Sequence, residues 1–161
     1  MSITIRKATK DDIKLVQQFG LELLEYERKS WDPTLETDWP FSESGRKAYE
    51  MAIDKGYVTI AENEENGEKQ PIGFLIGRVS YADKNAARIM TTAHINNIFV
   101  YPEFREKNVG RQLFEDFKSH CKKEGVKKLS VTVNAKNDIA IKFYEKTDFK
   151  PSSIIFSQNL E

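Results

Sequence analysis

A mixed α/β domain is what this sequence predicts, and three observations predict it. Short runs of β-branched and aromatic residues, bounded by Gly, Pro and Asn, recur along the chain. Between them lie stretches in which apolar residues return every three or four positions, the period of a helix with one buried face. The stretch from His94 to Phe117 joins the two patterns. Its apolar run (Ile95, Ile98, Phe99, Val100, Tyr101) is stopped by Pro102, a basic loop follows, and helical spacing starts near Val109 with Leu113 and Phe117.

Taken in order, Ser2 to Lys7 alternates Ile3 and Ile5 with polar neighbours, the pattern of an edge strand. Thr9 with Asp12 three residues on resembles a capped helix start, followed by Ile13, Val16, Gly20, Leu23 and Leu24 at helical spacing. Trp31 to Pro40 carries two prolines and two tryptophans and predicts a loop whose aromatic rings cover the core; exposed beside acids, the same rings suit a cationic ligand. Ser42 is placed to cap a second helix through Ala48, Met51 and Ala52, ended by Gly56. Tyr57, Val58 and Ile60 open a strand, Asn63 to Glu68 is a turn containing Asn-Gly, and Pro71 to Val79 is the returning strand of a hairpin. A polar connection from Tyr81 to Arg88 leads into a strand around Ile89 to Tyr101. After the helix that starts near Val109, Gly125 is a stop, Leu129, Val131 and Val133 form an alternating strand, Asn137 to Lys146 is a short helix, and Ile154, Ile155 and Phe156 predict a final strand.

The 161 residues suit one domain, read here as 1–161, with a real core. Twenty-five basic and 25 acidic side chains give a formal net charge of zero, which excludes a general attraction to nucleic acid or anionic membrane and points to a small partner. No apolar run approaches the roughly 20 residues of a membrane span, and Cys121 is the single cysteine, so the expected location is cytoplasmic. Charge is uneven. Glu22, Glu25, Glu27, Asp32, Glu36, Asp38, Glu43 and Glu50 outnumber Arg28, Lys29, Arg46 and Lys47, whereas Lys and Arg dominate from Tyr101 to Lys150. This split suits an anionic cofactor on the later half and a cationic acceptor near the earlier one, or simply solvated helix faces.

A helix N-terminus offers free backbone N–H groups and the positive end of its dipole, so a loop bringing Arg105, Lys107 and Arg111 there is a ready phosphate site. The segment Arg105-Glu106-Lys107-Asn108-Val109-Gly110 resembles the Arg/Gln-x-x-Gly-x-Gly/Ala loop of the GNAT superfamily of N-acetyltransferases. Asn108 stands for the first glycine, and Asn tolerates the positive φ such a position needs. A second stretch, Asn137-Asp138-Ile139-Ala140-Ile141-Lys142-Phe143-Tyr144-Glu145-Lys146-Thr147-Asp148-Phe149, is similar to the family's Asn-x-x-Ala-x-x-Phe-Tyr-Glu-Lys-x-Gly-Phe signature. There Asp148 replaces a glycine at a helix C-terminus, again where positive φ is expected. The two segments occur in the family's order with a strand between them, and the resemblance covers nearly the whole chain.

The resemblance implies the GNAT fold, β-α-α-β-β-β-α-β-α-β-β, with a central twisted mixed sheet splayed at the cofactor site. It implies acetyl-CoA as cosubstrate; no metal is expected, because two histidines far apart and one cysteine make no visible ligand set. Pantetheine would be held by backbone groups of Ile98, Phe99 and Val100, pyrophosphate by Arg105, Glu106, Lys107, Asn108, Val109, Gly110 and Arg111, and the opposite wall would come from Asn137, Ala140 and Tyr144. Acetyl would pass directly to a primary amine of a small molecule. Val100 N–H is the expected donor to the carbonyl oxygen and Tyr144 the acid for the departing thiolate. His94 is the expected base, since its imidazole titrates in the right range, with water relaying to Glu22 or Glu25 as the alternative. Two other functions stay open: a non-catalytic acyl-CoA sensor, and a transferase for protein N-termini or lysines. Dimerisation is common in the family, and nothing in the sequence decides it. His120 and Cys121 are not read as nucleophiles, because Cys121 continues the Leu113, Phe117 stripe and is expected to be a core thiol.

Overall fold

A computed structural model describes residues 2–83, 85 and 89–160. Strand β1 (Ser2–Lys7) is followed by helices α1 (Ile13–Ser30) and α2 (Glu43–Lys55), the hairpin β2 (Tyr57–Glu65) and β3 (Glu68–Ser80), and then β4 (Thr92–Val100). Helix α3 (Val109–Lys123), strand β5 (Lys128–Val131) and helix α4 (Asp138–Lys146) complete the elements. The sheet order is β1-β2-β3-β4-β5. All neighbours are antiparallel except β4 and β5, whose parallel pairing needs a crossover, and α3 supplies it.

Local chemistry accounts for the element ends. Thr9 and Asp12 form the reciprocal capping box, with Thr9 N–H donating to Asp12 Oδ2 at 2.8 Å, although a single 3-10 turn (Lys10–Asp12) comes before α1 proper. Ser42 caps α2 by accepting from Gly45 N–H at 3.1 Å. Asn66 and Gly67 both take positive φ, 54° and 81°, as a two-residue hairpin turn requires. Trp31 to Pro40 is irregular apart from the turn at Trp39–Phe41. Trp39 packs edge-on against Tyr49, which covers the core as expected.

Helices lie on both faces of the sheet. On one, α3 and α4 bury Leu113, Phe114, Phe117, Cys121 and Tyr144 against Tyr57, Ala61, Leu75, Ala93 and Ile95. On the other, α1 and α2 bury Val16, Phe19 and Tyr49 against Val58, Ile60, Phe74 and Phe99. Each large apolar side chain so buried contributes about 1.5–3 kcal/mol, more than any single cap, so the two apolar faces rather than helix propensity hold the layers. Close approach is built in: a Cβ at Gly77 would collide with the ring of Phe117, and one at Gly20 with Tyr49. Cys121 is a buried thiol, as expected, pushed up to about 11 by burial. Among the described residues no helix is long and apolar enough to cross a membrane.

Three expectations are corrected. The strand expected from Ile89 begins at Thr92, and Ile89 and Met90 are exposed. The strand through Leu129, Val131 and Val133 ends at Val131, although Val133 still packs on the core. No strand forms around Ile154, Ile155 and Phe156, which are 80, 80 and 90% exposed. Those three residues carry strand propensity without alternation, and a strand exists only through a pairing edge, which this segment does not take up. The two terminal strands implied after α4 are therefore missing, and β5 is the sheet edge. The expected connection from Tyr81 to Arg88 falls partly outside the described residues.

Candidate active site

The site is built on the end of β4 and the start of α3. Opposite β3 the register of β4 shifts between Ile76/Asn97 and Gly77/Ile95, leaving Asn96 as the extra residue of a bulge. Two consecutive asparagines between Ile95 and Ile98 stand at that interruption. On its other edge β4 pairs with β5 only from Thr92 to Ile95. Beyond the bulge that edge has no strand beside it. Tyr101 N–H donates to Ile72 C=O at 3.0 Å. By the alternation of an antiparallel ladder, Phe99 then exchanges bonds with Phe74, while Ile98 and Val100 turn their N–H and C=O groups toward the side where β5 has ended. Of the three strand residues expected to hold a cofactor, Ile98 thus presents its N–H and C=O and Val100 its N–H alone, because Arg105 Nε donates to Val100 C=O; Phe99 spends its own groups on β3 and its ring on the core.

The loop follows at once. Glu106 and Asn108 are left-handed, with φ 61° and 66°. Asn108 behaves as the sequence suggested. Glu106 is a surprise, since Glu has no preference for that region and its placement costs on the order of 1 kcal/mol. Asn108 is the N-cap of α3, yet its side chain makes no cap bond, and the first intrahelical bond runs from Gln112 N–H to Asn108 C=O at 3.1 Å. The N–H groups of Asn108, Val109, Gly110 and Arg111 are therefore left at the positive end of the helix dipole. A Cβ at Gly110 would meet the Phe143 ring at 3.6 Å and Val100 Cγ2 at 4.0 Å, ordinary contacts, so packing inside the protein does not demand glycine there. The free N–H groups and the bare Gly110 surface fit a phosphate-bearing ligand.

Arg105 sits differently from Lys107 and Arg111. Its Nε donates to Val100 C=O at 3.0 Å, and its guanidinium lies 5.0 Å from the Tyr26 ring centroid and 5.8 Å from that of Phe99. Its side chain ties the phosphate loop to β4 and to α1. Tyr26 meets Trp31 edge-on, and nearby Glu27 is pushed up by burial and by the negative charge of Asp32. Aromatic rings and acids thus gather at the C-terminal end of α1, the side on which a cationic acceptor was expected. Other acids of the early half are spoken for: Glu43 pairs with Lys47 and Glu50 with Arg46 along α2.

From the opposite wall, Asn137 accepts from Ala140 N–H through Oδ1 at 3.1 Å, so its carboxamide oxygen caps α4. Ala140 and Phe143 pack on the same core as Val100 and Val109. Tyr144 is 5% exposed, its ring lies edge-on to Phe143 and Phe149, and its hydroxyl has no hydrogen-bond partner among the described residues. Burial pushes its pKa above the ordinary value, which keeps the phenol protonated. A buried hydroxyl without a partner costs about 1–3 kcal/mol, and Thr59 Oγ1 and Asn63 Oδ1 on β2 are buried in the same state. Asp148 takes φ 68° after α4, as expected for the stand-in of a glycine.

His94 lies before the bulge, opposite Arg78 on β3 and Ser130 on β5. Its Nδ1 is 3.0 Å from Ser130 Oγ. Burial first, and then the positive charge of Arg78, lower its pKa below the ordinary histidine value, so the ring is neutral near pH 7. The partnership with Ser130 could not be read from the sequence, because it joins residues 36 positions apart. Among the described residues no group of His, Cys, Asp and Glu side chains could hold a metal ion.

Residues 21–149 match the acetyltransferase (GNAT) family. The chain is 27% identical over 158 residues to the uncharacterized N-acetyltransferase MJ1207 of Methanocaldococcus jannaschii, covering 94% of this chain; it spans 62% of that relative's length. It is 25% identical over 157 residues to the spermidine N(1)-acetyltransferase of Thermoplasma acidophilum, covering 93% of this chain and 89% of that one. Among solved structures, the aminoglycoside N-acetyltransferase AAC(6')-Iy in complex with CoA shares the fold, with a TM-score of 0.69 at 20% identity over 99% of this chain and 95% of that one.

Proposed function

This chain belongs to the acetyltransferase (GNAT) family, and on that premise we propose that it is an N-acetyltransferase moving acetyl from acetyl-CoA directly to a primary amine of a small molecule. The observation that carries the reading is the buried, unpartnered hydroxyl of Tyr144 on the core that also contains Val100 and Val109. When bound, acetyl-CoA supplies the acetyl group as an activated thioester. The N–H groups of Asn108 to Arg111, with the charges of Lys107 and Arg111, would bind its phosphates, and the free edge of Ile98 and Val100 would take its amide-bearing arm.

The chain's own residues then divide the chemistry. Val100 N–H donates toward the thioester carbonyl oxygen. His94, neutral near pH 7, accepts the proton that the amine gives up. Tyr144, held protonated by burial, donates to the departing sulfur. The acids and aromatic rings at the end of α1 favour a cationic acceptor, and the amine substrates named for the spermidine and aminoglycoside enzymes support the small-molecule class.

The test is acetyl-CoA-dependent thiol release across polyamines, aminoglycosides, amino acids and lysine or N-terminal peptides. One small-amine class should be turned over, and Tyr144→Phe should lower kcat by about 10²-fold while acetyl-CoA binds nearly as before. Release with peptides alone would replace the small-molecule reading. Tight acetyl-CoA binding with no release across the panel would move the chain to the sensor class.

A further inference from the structure

We propose that Ser130 is a positioning residue: its hydroxyl holds the His94 ring in the Nδ1–H tautomer and so leaves Nε2 as the atom that takes the proton from the acceptor amine. The proposal rests on the reading of His94 as the base and assigns it an orientation and an atom. The parallel register sets Ser130 directly opposite His94, and Ser130 Oγ lies 3.0 Å from Nδ1 and 3.2 Å from Ala93 C=O.

A hydroxyl has one proton, and a carbonyl oxygen can only accept. With the Ser130 proton on Ala93 C=O, the Ser130 oxygen must accept from Nδ1–H. Were the proton given to Nδ1 instead, two oxygen lone pairs would face each other at 3.2 Å with nothing between them. Only the Nδ1–H form puts a proton in each contact. Nε2 has no hydrogen bond among the described residues, and in this tautomer it carries the ring's basic lone pair. In a histidine without such a partner the Nε2–H tautomer is intrinsically favoured, and its Nε2 would be a donor unable to take a proton. Ser130 therefore reverses the resting preference of the ring.

The charged group facing His94 from β3 is Arg78, while β5 presents the neutral Ser130. Arg78 and burial both disfavour the imidazolium, so the base form persists to pH values below the ordinary histidine pKa of about 6.5. The proton moves from the amine nitrogen to Nε2 as the new N–C bond forms. His94 then carries the positive charge, with Nδ1–H still bonded to Ser130.

Nitrogen-detected NMR of 15N-histidine protein tests the tautomer without any turnover. The chain has two histidines, so a His120→Gln variant assigns the signals. Wild-type His94 should show a protonated Nδ1 and a bare Nε2. Ser130→Ala should move the population toward Nε2–H and lower kcat/KM about tenfold, with the acid limb of its pH profile displaced downward because the lost acceptor supported the imidazolium most. Ser130→Thr, which keeps the hydroxyl, should retain both tautomer and rate. A wild-type Nε2–H signal, or a Ser130→Ala enzyme with an unmoved tautomer, overturns the proposal. A wild-type Nδ1–H signal together with full activity in His94→Gln overturns the base reading beneath it, and the NMR result tells these failures apart.

Discussion

Strand β4 is two different objects on either side of Asn96. From Thr92 to Ile95 it is paired on both edges, with Gly77–Ser80 and with Lys128–Val131; from Asn97 to Val100 it is paired with Gly73–Ile76 alone. The halves differ in their neighbours. In the first half the backbone is spent on the sheet, so what can act there is a side chain, His94. In the second half the Phe99 ring is packed into the core, and what can act is the backbone of Ile98 and Val100. One bulge thus separates a half whose main chain is taken up on both edges from a half with one edge open.

The largest test of that contrast is a pair of truncations. Ile95 is 1% exposed and flanked by strands on both edges, so Ile95→Ala should cost about 2–5 kcal/mol in urea unfolding at constant m. Ile98 is partly buried beside the open edge, and Ile98→Ala should cost about 1 kcal/mol. Equal losses would mean that the open half is held as firmly as the closed one.

A middle-sized effect is expected at Arg105, which joins the open half to the phosphate loop and α1. Arg105→Ala removes its bond to Val100 C=O and its contact with Tyr26, and should cost about 1–2 kcal/mol. Acetyl-CoA binding measured by calorimetry should weaken with it. Unaltered binding would remove Arg105 from the support of the site. The smallest effect belongs to the loop itself. Asn108→Ala should cost about 1 kcal/mol from left-handed strain, whereas Asn108→Gly should be neutral or stabilising in thermal melts. If alanine is tolerated as well as glycine, the loop does not depend on that conformation.

How much of this was legible follows the range of each interaction. Asn108 and Asp148 could be read as left-handed from their residue types, since Asn and Asp are among the few that tolerate the region, whereas Glu106 carried no such sign. The cap at Ser42 and the Asn66-Gly67 turn were equally legible, each being decided within about four residues, whereas Asn137, read as a cofactor contact, caps α4 with its carboxamide oxygen. Ile154 to Phe156 misled for the converse reason: their propensity was real, but pairing depends on an edge elsewhere in the fold.

The sequence by itself determined the alternation of elements, the loop and helix N-terminus suited to phosphate, and the residue types at the site, because these rest on neighbours along the chain. Only the tertiary structure decided that β5 stops at Val131 and leaves one edge of β4 free, that the Tyr144 hydroxyl is buried without a partner, and that Ser130 meets His94. Pairing and burial join residues far apart in sequence, and no local preference records which distant partner arrives or fails to arrive.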